Sequence, residues 1–281
     1  MSELIFLKLG GSLLTDKTRP QALREDVLAR LAAEIADALA ARPGPRLLIG
    51  HGSGSFGHMA ARRYNTRAGV TSPEGWRGYA ETARAAALLN RRVVDALWAA
   101  GVPALAIQPS ASAHCRDGEL QELAERPIRV ALAQGLAPVL YGDVALDAVR
   151  GGTIISTEEI FAWLAPRLLP RRIVLVGEVA GVLSADPASG VTGELIPEIT
   201  PDTLPQLAQV LGGSRGVDVT GGMVAKVAEM LALVQATPAL DRVQIISGLI
   251  PGLTRAVLTE PDRRAGTRIL RCKEIESAET P

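Results

Sequence analysis

The sequence predicts an α/β fold built on a mostly parallel central sheet with helices on both faces. Short, uniformly apolar runs of strand length alternate with amphipathic helical stretches, the pattern of strands buried from both sides. Glycine- and serine-rich segments directly follow several of those strands. At 281 residues the chain suits one large α/β domain or two closely packed lobes.

Leu4–Leu9 reads as a buried strand, ended by Gly10-Gly11-Ser12. A helix follows over Arg24–Arg42, with Val27, Leu28, Leu31, Ile35 and Leu39 on one stripe and Pro43-Gly44-Pro45 closing it. Arg46–Gly50 is the next strand, and His51–His58 a Gly/Ser-rich turn. Glu74–Ala100 is a long helix stopped by Gly101, and Pro103–Ile107 a strand. Helix Pro127–Gln134 leads to strand Pro138–Tyr141 and the loop Gly142-Asp143. Helix Thr157–Leu168, strand Arg172–Val176 and helices Asp202–Leu211 and Met223–Gln235 follow, with Val243–Ser247 and Thr267–Leu270 as closing strands. Ala185–Gly193, rich in Pro, Gly and Ser, reads as a mobile loop, and the tail after Lys273 as frayed.

Composition narrows the function. Thirty basic residues balance thirty acidic ones, so no basic excess exists to displace counterions from nucleic acid or to dock on an anionic membrane. The longest apolar stretch, Val130–Val149, holds Pro138, Asp143 and Asp147 and does not read as a membrane span. Cys115 and Cys272 lack metal-ligand spacing and read as reduced thiols. With no signal segment, the expectation is a soluble, cytoplasmic protein.

Ligands of open α/β sheets sit beyond the carboxyl ends of the strands, which selects the loops Gly10–Lys17, Gly50–His58, Gly142–Asp147 and Gly177–Asp186. In the first, two glycines let backbone N–H groups approach a polyphosphate. Lys8 ends an apolar strand, a costly place for a charge unless an anion meets it, and Lys17 reaches from the far end of the loop. This is neither a GxxxxGK[ST] loop nor a GxGxxG fingerprint. In the second loop, Ser53, Gly54 and Gly57 precede or open a helix whose N-terminus favours a second anion. There His58 is a phosphate donor, whereas His51 and His114 read as structural. In the third motif, Asp218-Val219-Thr220-Gly221-Gly222-Met223, Lys226 lies one turn into a helix as a nucleotide grip. Asp143 and the pair Glu158–Glu159 either hold the lysines, join a magnesium shell or, for Glu158, simply cap a helix.

KLGGS, TDK, HGSGSFGH, YGD and DVTGGMxxK, in that order from Leu4 to about Ser247, resemble the amino acid kinase superfamily. The histidine ending of the second motif is most similar to its isopentenyl phosphate kinase branch, shared chiefly with the fosfomycin kinases. The resemblance implies an αβα-sandwich homodimer that transfers the γ-phosphoryl of Mg-ATP to isopentenyl phosphate. It also implies an acceptor lobe over about 1–168 and a nucleotide lobe over about 169–281. Carried over motif by motif, Lys8, Gly10, Gly11, Ser12, Gly54, Glu178, Gly222 and Lys226 hold ATP. Lys17 stabilises the transition state with Lys8 and His58 beside it, and Ser53, Gly57, His58 and Thr157 hold the acceptor. Three departures stand out: Ser53 for a family glycine, Ser156-Thr157-Glu158 for SGD, and Gly177–Gly181 (GEVAG) for TDVDG. A kinase for another phosphate or phosphonate, fosfomycin-like compounds included, and a non-catalytic nucleotide-binding protein are the alternatives.

Overall fold

The computed structural model describes residues 2–16, 18–185, 193–205, 207 and 222–271. Lys17, the Asp218–Gly221 part of the third motif, half of Asp202–Leu211, most of Ala185–Gly193, Cys272 and the tail lie outside them.

The strands in chain order are β1 (Leu4–Leu9), β2 (Thr15–Asp16), β3 (Ala22–Leu23), β4 (Arg46–His51), β5 (Ala104–Ala106), β6 (His114–Arg116) and β7 (Glu119–Glu122). They continue with β8 (Ala137–Tyr141), β9 (Asp143–Asp147), β10 (Gly151–Ile155), β11 (Arg172–Gly177), β12 (Glu198–Ile199), β13 (Arg242–Ser247) and β14 (Thr267–Leu270). The described helices are α1 (Gly11–Leu14), α2 (Glu25–Ala40), α3 (Gly54–Tyr64), α4 (Pro73–Ala99), α5 (Glu125–Ala133), α6 (Thr157–Leu168), α7 (Gly222–Ala236) and α8 (Leu253–Thr259).

Eight strands form one sheet in the order β12-β14-β13-β11-β1-β4-β8-β5. Every pair is parallel except β13 with β14. Strand parity divides the core. Ile5, Leu7 and Leu9 of β1 point to one face, where they meet residues of α1, α2, α4 and α8 such as Leu13, Leu31, Leu89 and Val257. Leu4 and Phe6 point to the other, against Phe161 and Leu164 of α6 and Val227 and Met230 of α7. Lys8 has the parity of Phe6, so it emerges on the α6–α7 face at the carboxyl end of the central strand.

A small sheet, β10-β9-β6-β7, flanks the large one. Asp143, read from sequence in a loop, opens β9 of this sheet. Asp147 ends that strand, and its carboxylate accepts the backbone N–H groups of Asp117, Gly118, Val149 and Arg150, tying two turns together. The segment His51–His58 is also corrected: from Gly54 onward it is helical, as the start of α3.

At the amino ends of the strands, buried Arg172 pairs with both carboxylate oxygens of Glu3 and donates to the Val257 and Leu258 carbonyls. Buried Glu34 of α2 accepts the N–H groups of Gly252, Thr254 and Arg255, placing an anion at the N-terminus of α8. Helices α3 and α4 pack closely because Gly78 lacks a side chain. A Cβ there would land on the Cβ and Cγ of Tyr64, the near end of that side chain, which cannot swing away. Gly78→Ala is therefore expected to destabilise the protein by about 1–3 kcal/mol through overpacking, read as a lowered urea midpoint at unchanged m-value.

Candidate functional site

Two glycine loops meet at the carboxyl ends of β1 and β4, which pair so that Lys8 faces Gly50 and Leu9 faces His51. Gly10 caps α1, and its N–H donates to the Val176 carbonyl at 2.8 Å. A Cβ on Gly11 would come within 2.5 Å of the Gly54 nitrogen, so the two backbones touch with no room for a side chain. Gly54 adopts φ +50°, the left-handed region that favours glycine. The Thr15 hydroxyl bolts the loops together, donating to the Gly11 carbonyl at 2.7 Å and accepting the Ser55 N–H at 2.9 Å. Ser12 lies in the first turn of α1. Ser53 is the N-cap residue of α3, yet its side chain makes no capping hydrogen bond. Gly57 packs under Ser53: a Cβ there would come within 2.7 Å of the Ser53 hydroxyl oxygen. His58, in the second turn of α3, is exposed.

The charged centre is built from three elements. Glu158, in the first turn of α6, meets Lys8 of β1 at 3.1 Å and Lys226 of α7 at 3.0 Å through one oxygen, Oε1. Burial alone would push the Glu158 carboxyl up; the two ammonium groups overcome that and hold it at about 2. Lys8 is nearly enclosed, whereas Lys226 is 43% exposed. The cluster carries a net positive charge with its acid already neutralised, the balance expected of a seat for a polyanion.

Of the two adjacent acids, Glu159 is the helix cap and Glu158 the lysine bridge. Ser156 and Glu159 form a reciprocal capping box at the start of α6. Glu158 thus occupies the place of the acid in the SGD pattern. The Thr157 hydroxyl donates to the His51 carbonyl at 2.6 Å and its residue is buried. That hydroxyl ties α6 to β4 from a buried position, so its proton is already committed to the main chain. The carboxylate of Glu178 likewise turns to Arg24 at 2.7 Å, and its carbonyl accepts from the Ser247 hydroxyl. Gly222 begins α7, with Lys226 one turn on.

His51 is buried, stacked on Tyr141 and held between the Gly52 carbonyl on Nδ1 and the Asn90 amide on Nε2, each at 3.1 Å. Burial, opposed by the hydrogen bond to Gly52 and aided by the charge of Lys8, lowers its pKa to about 4, so the ring is neutral, with Nδ1 donating and Nε2 accepting. Asp143 accepts the N–H groups of Ser110 and Val144 and is buried, which pushes its carboxyl up. It touches neither lysine. Tyr79 of α4 packs against Gly152 of β10, Ala86 is buried, and Ala83 and Ala87 are half-buried. Cys115 is buried with a free thiol.

Sequence reasoning placed Thr15 in the TDK motif without a role of its own, and missed Arg24 and Arg67. Thr15 was legible in principle, being four residues after Gly11, a spacing at which a hydroxyl reaches back to a carbonyl. Arg24 and Arg67 meet partners 154 and 92 residues away, for which a single sequence holds no signal.

Residues 3–247 match the model of the amino acid kinase family. The isopentenyl phosphate kinase of Methanothermobacter thermautotrophicus is 37% identical over 95% of this chain and 98% of its own. That of Haloferax volcanii is 42% identical over 82% and 88%. X-ray structures of an isopentenyl phosphate kinase superpose with a TM-score of 0.79 at 34% identity, over 95% of this chain and 99% of theirs.

Because the Glu158 carboxyl is held below its usual 4.5 in the folded chain, its stabilisation is present above about 4.5 and lost as pH falls toward 2. On acidification from pH 5 to pH 2, the native chain is expected to lose about 2 kcal/mol more stability than Glu158→Gln, measured by denaturant titration at each pH.

Proposed function

The chain belongs to the amino acid kinase family, and from that membership we propose that it transfers the γ-phosphoryl group of ATP to isopentenyl phosphate, giving isopentenyl diphosphate. The observation that carries the proposal is the convergence of Lys8 and Lys226 on Glu158 beside two glycine loops that touch backbone to backbone. Such a site lacks side-chain bulk where phosphates must approach and holds positive charge where they accumulate.

A phosphate monoester has a second pKa of about 6, so at neutral pH this acceptor is already a nucleophilic dianion. The reaction needs alignment and charge cancellation rather than a general base. The acids at the strand ends agree with that need, since Glu158 is engaged by two lysines and Asp143 by backbone donors. In this reading Lys8, Gly10, Gly11, Ser12, Gly54, Gly222 and Lys226 cradle the nucleotide phosphates. Glu178, already paired with Arg24, borders the nucleotide rather than facing it with a free carboxylate. Ser53, Gly57 and His58 hold the acceptor phosphate at the start of α3, and Thr157 acts there by fixing the end of β4. Lys17 joins the transferring group from the far end of its loop. The acceptor's five-carbon tail lies along α4 near Tyr79, Ala83, Ala86 and Ala87.

Magnesium enters as part of the Mg-ATP substrate. Among the described residues no group of three His, Cys, Asp or Glu side chains could hold a metal ion. No described helix is long and apolar enough to cross a membrane. A cytoplasmic homodimer, with the acceptor lobe to about residue 168 and the nucleotide lobe after it, completes the proposal, and sedimentation analysis tests the dimer.

The proposal is tested by ADP release from Mg-ATP with isopentenyl, dimethylallyl and geranyl phosphates, fosfomycin, acetylglutamate and UMP. High kcat/KM is expected for the short prenyl phosphates; turnover confined to fosfomycin would reassign the acceptor to a phosphonate, and none at all would leave nucleotide binding without transfer. His58→Ala is expected to raise the acceptor KM and lower kcat while ATP affinity stays nearly intact; a larger loss on the ATP side would reverse the two loop assignments. Lys17→Met is expected to cost about 2–4 kcal/mol in kcat/KM, almost all of it in kcat.

A further inference from the structure

The junction between β10 and α6, Ile154 to Glu159, is fixed by polar contacts on both sides. Thr157 donates to the His51 carbonyl, and Glu158 meets Lys8 and Lys226. The Ser156 hydroxyl accepts the Glu159 N–H, and the Glu159 carboxylate accepts the Ser156 N–H in return. One further side chain, from outside every glycine motif, closes this set.

Arg67 lies in the turn that leaves α3. Its Nη2 donates to Glu159 Oε1 at 2.7 Å, and its Nη1 donates both to Glu159 Oε2 at 3.0 Å and to the Ile154 carbonyl at 2.8 Å. The Arg67 carbonyl in turn accepts the Thr153 hydroxyl at 3.0 Å. A single guanidinium therefore grips both ends of the junction, and its main chain is fastened to β10. Only a planar fork can span two carboxylate oxygens and a carbonyl together; a lysine at this position reaches one of them at a time.

We infer that Arg67 is a positioning residue for the phosphate-gripping lysines: through Glu159 it sets the first turn of α6, from which Glu158 reaches Lys8 and Lys226. The inference rests on the nucleotide reading of those lysines and extends it to the helix exit of the acceptor loop. Its effect falls chiefly on the nucleotide side: Glu158 reaches both lysines from this turn, whereas the acceptor loop, which Thr157 touches through the end of β4, is also held independently by Thr15.

The test is binding of a non-hydrolysable ATP analogue with Mg2+ to the full chain, without acceptor, well below each variant's melting midpoint. It compares the native protein, Arg67→Ala, Arg67→Lys and Lys226→Ala. Arg67→Ala is expected to weaken binding about 5- to 10-fold, with Arg67→Lys between it and the native protein. In turnover assays the ATP KM should rise by a similar factor while the acceptor KM stays within about twofold. Unchanged binding in Arg67→Ala alongside a loss in Lys226→Ala would overturn the clamp. So would an equal rise in both KM values, the mark of general loosening. Native binding by Lys226→Ala would instead remove the nucleotide reading and the clamp with it. Failure of the native chain to turn over isopentenyl phosphate would fall on the acceptor alone, since the binding comparison still decides the clamp.

Discussion

The structure turns on the cost of placing an ammonium group at the end of a central strand. Every other residue of β1 is apolar and buried, and Lys8 alone breaks the series. A charge in that position persists only with an opposite charge beside it. Glu158 supplies one, but shares it with Lys226, so two cations face a single anion. The imbalance is small enough for the fold to carry and large enough to make a bound polyanion the natural completion of the cluster. Much of the surrounding architecture keeps this arrangement in place: the capping box of α6, the Thr157 tie to β4 and the parity of β1, which delivers Lys8 to the α6–α7 face.

The extent to which this was readable from the chain differs by element. Leu4–Leu9, Thr157–Leu168 and Thr267–Leu270 match their structural bounds, because an apolar run or a capped amphipathic stretch declares its own ends. The strands of the small sheet, His114–Arg116 and Glu119–Glu122, carry no such pattern. They are short and largely polar, paired with each other and, through β6, with β9, while Asp147 fastens the turn between them, and nothing local announces them. A helix was expected to open from the second glycine loop, but its start at Gly54 was obscured for the opposite reason. Gly54 and Gly57 argue against a helix on propensity, and tertiary contact with Gly11 and Thr15 overrides that preference.

At the candidate site the glycine motifs and their lysines could be picked out singly, since each has a spacing with a physical purpose. Their meeting could not, because it depends on three elements far apart in the chain. The acidic pair shows the limit. Two neighbouring glutamates are indistinguishable in sequence, yet one step along α6 rotates the second away from the lysines and toward Arg67. Their roles differ because of where a helix points them, not because of what they are.

The backbone contact between Gly11 and Gly54 also has a mechanical meaning. Where side chains separate two binding loops, the gap between them breathes with every rotamer change. Here main chain rests on main chain, pinned by one threonine hydroxyl. The spacing is a ruler cut from peptide units, stiff on the scale of bond lengths and indifferent to the side chains that border it.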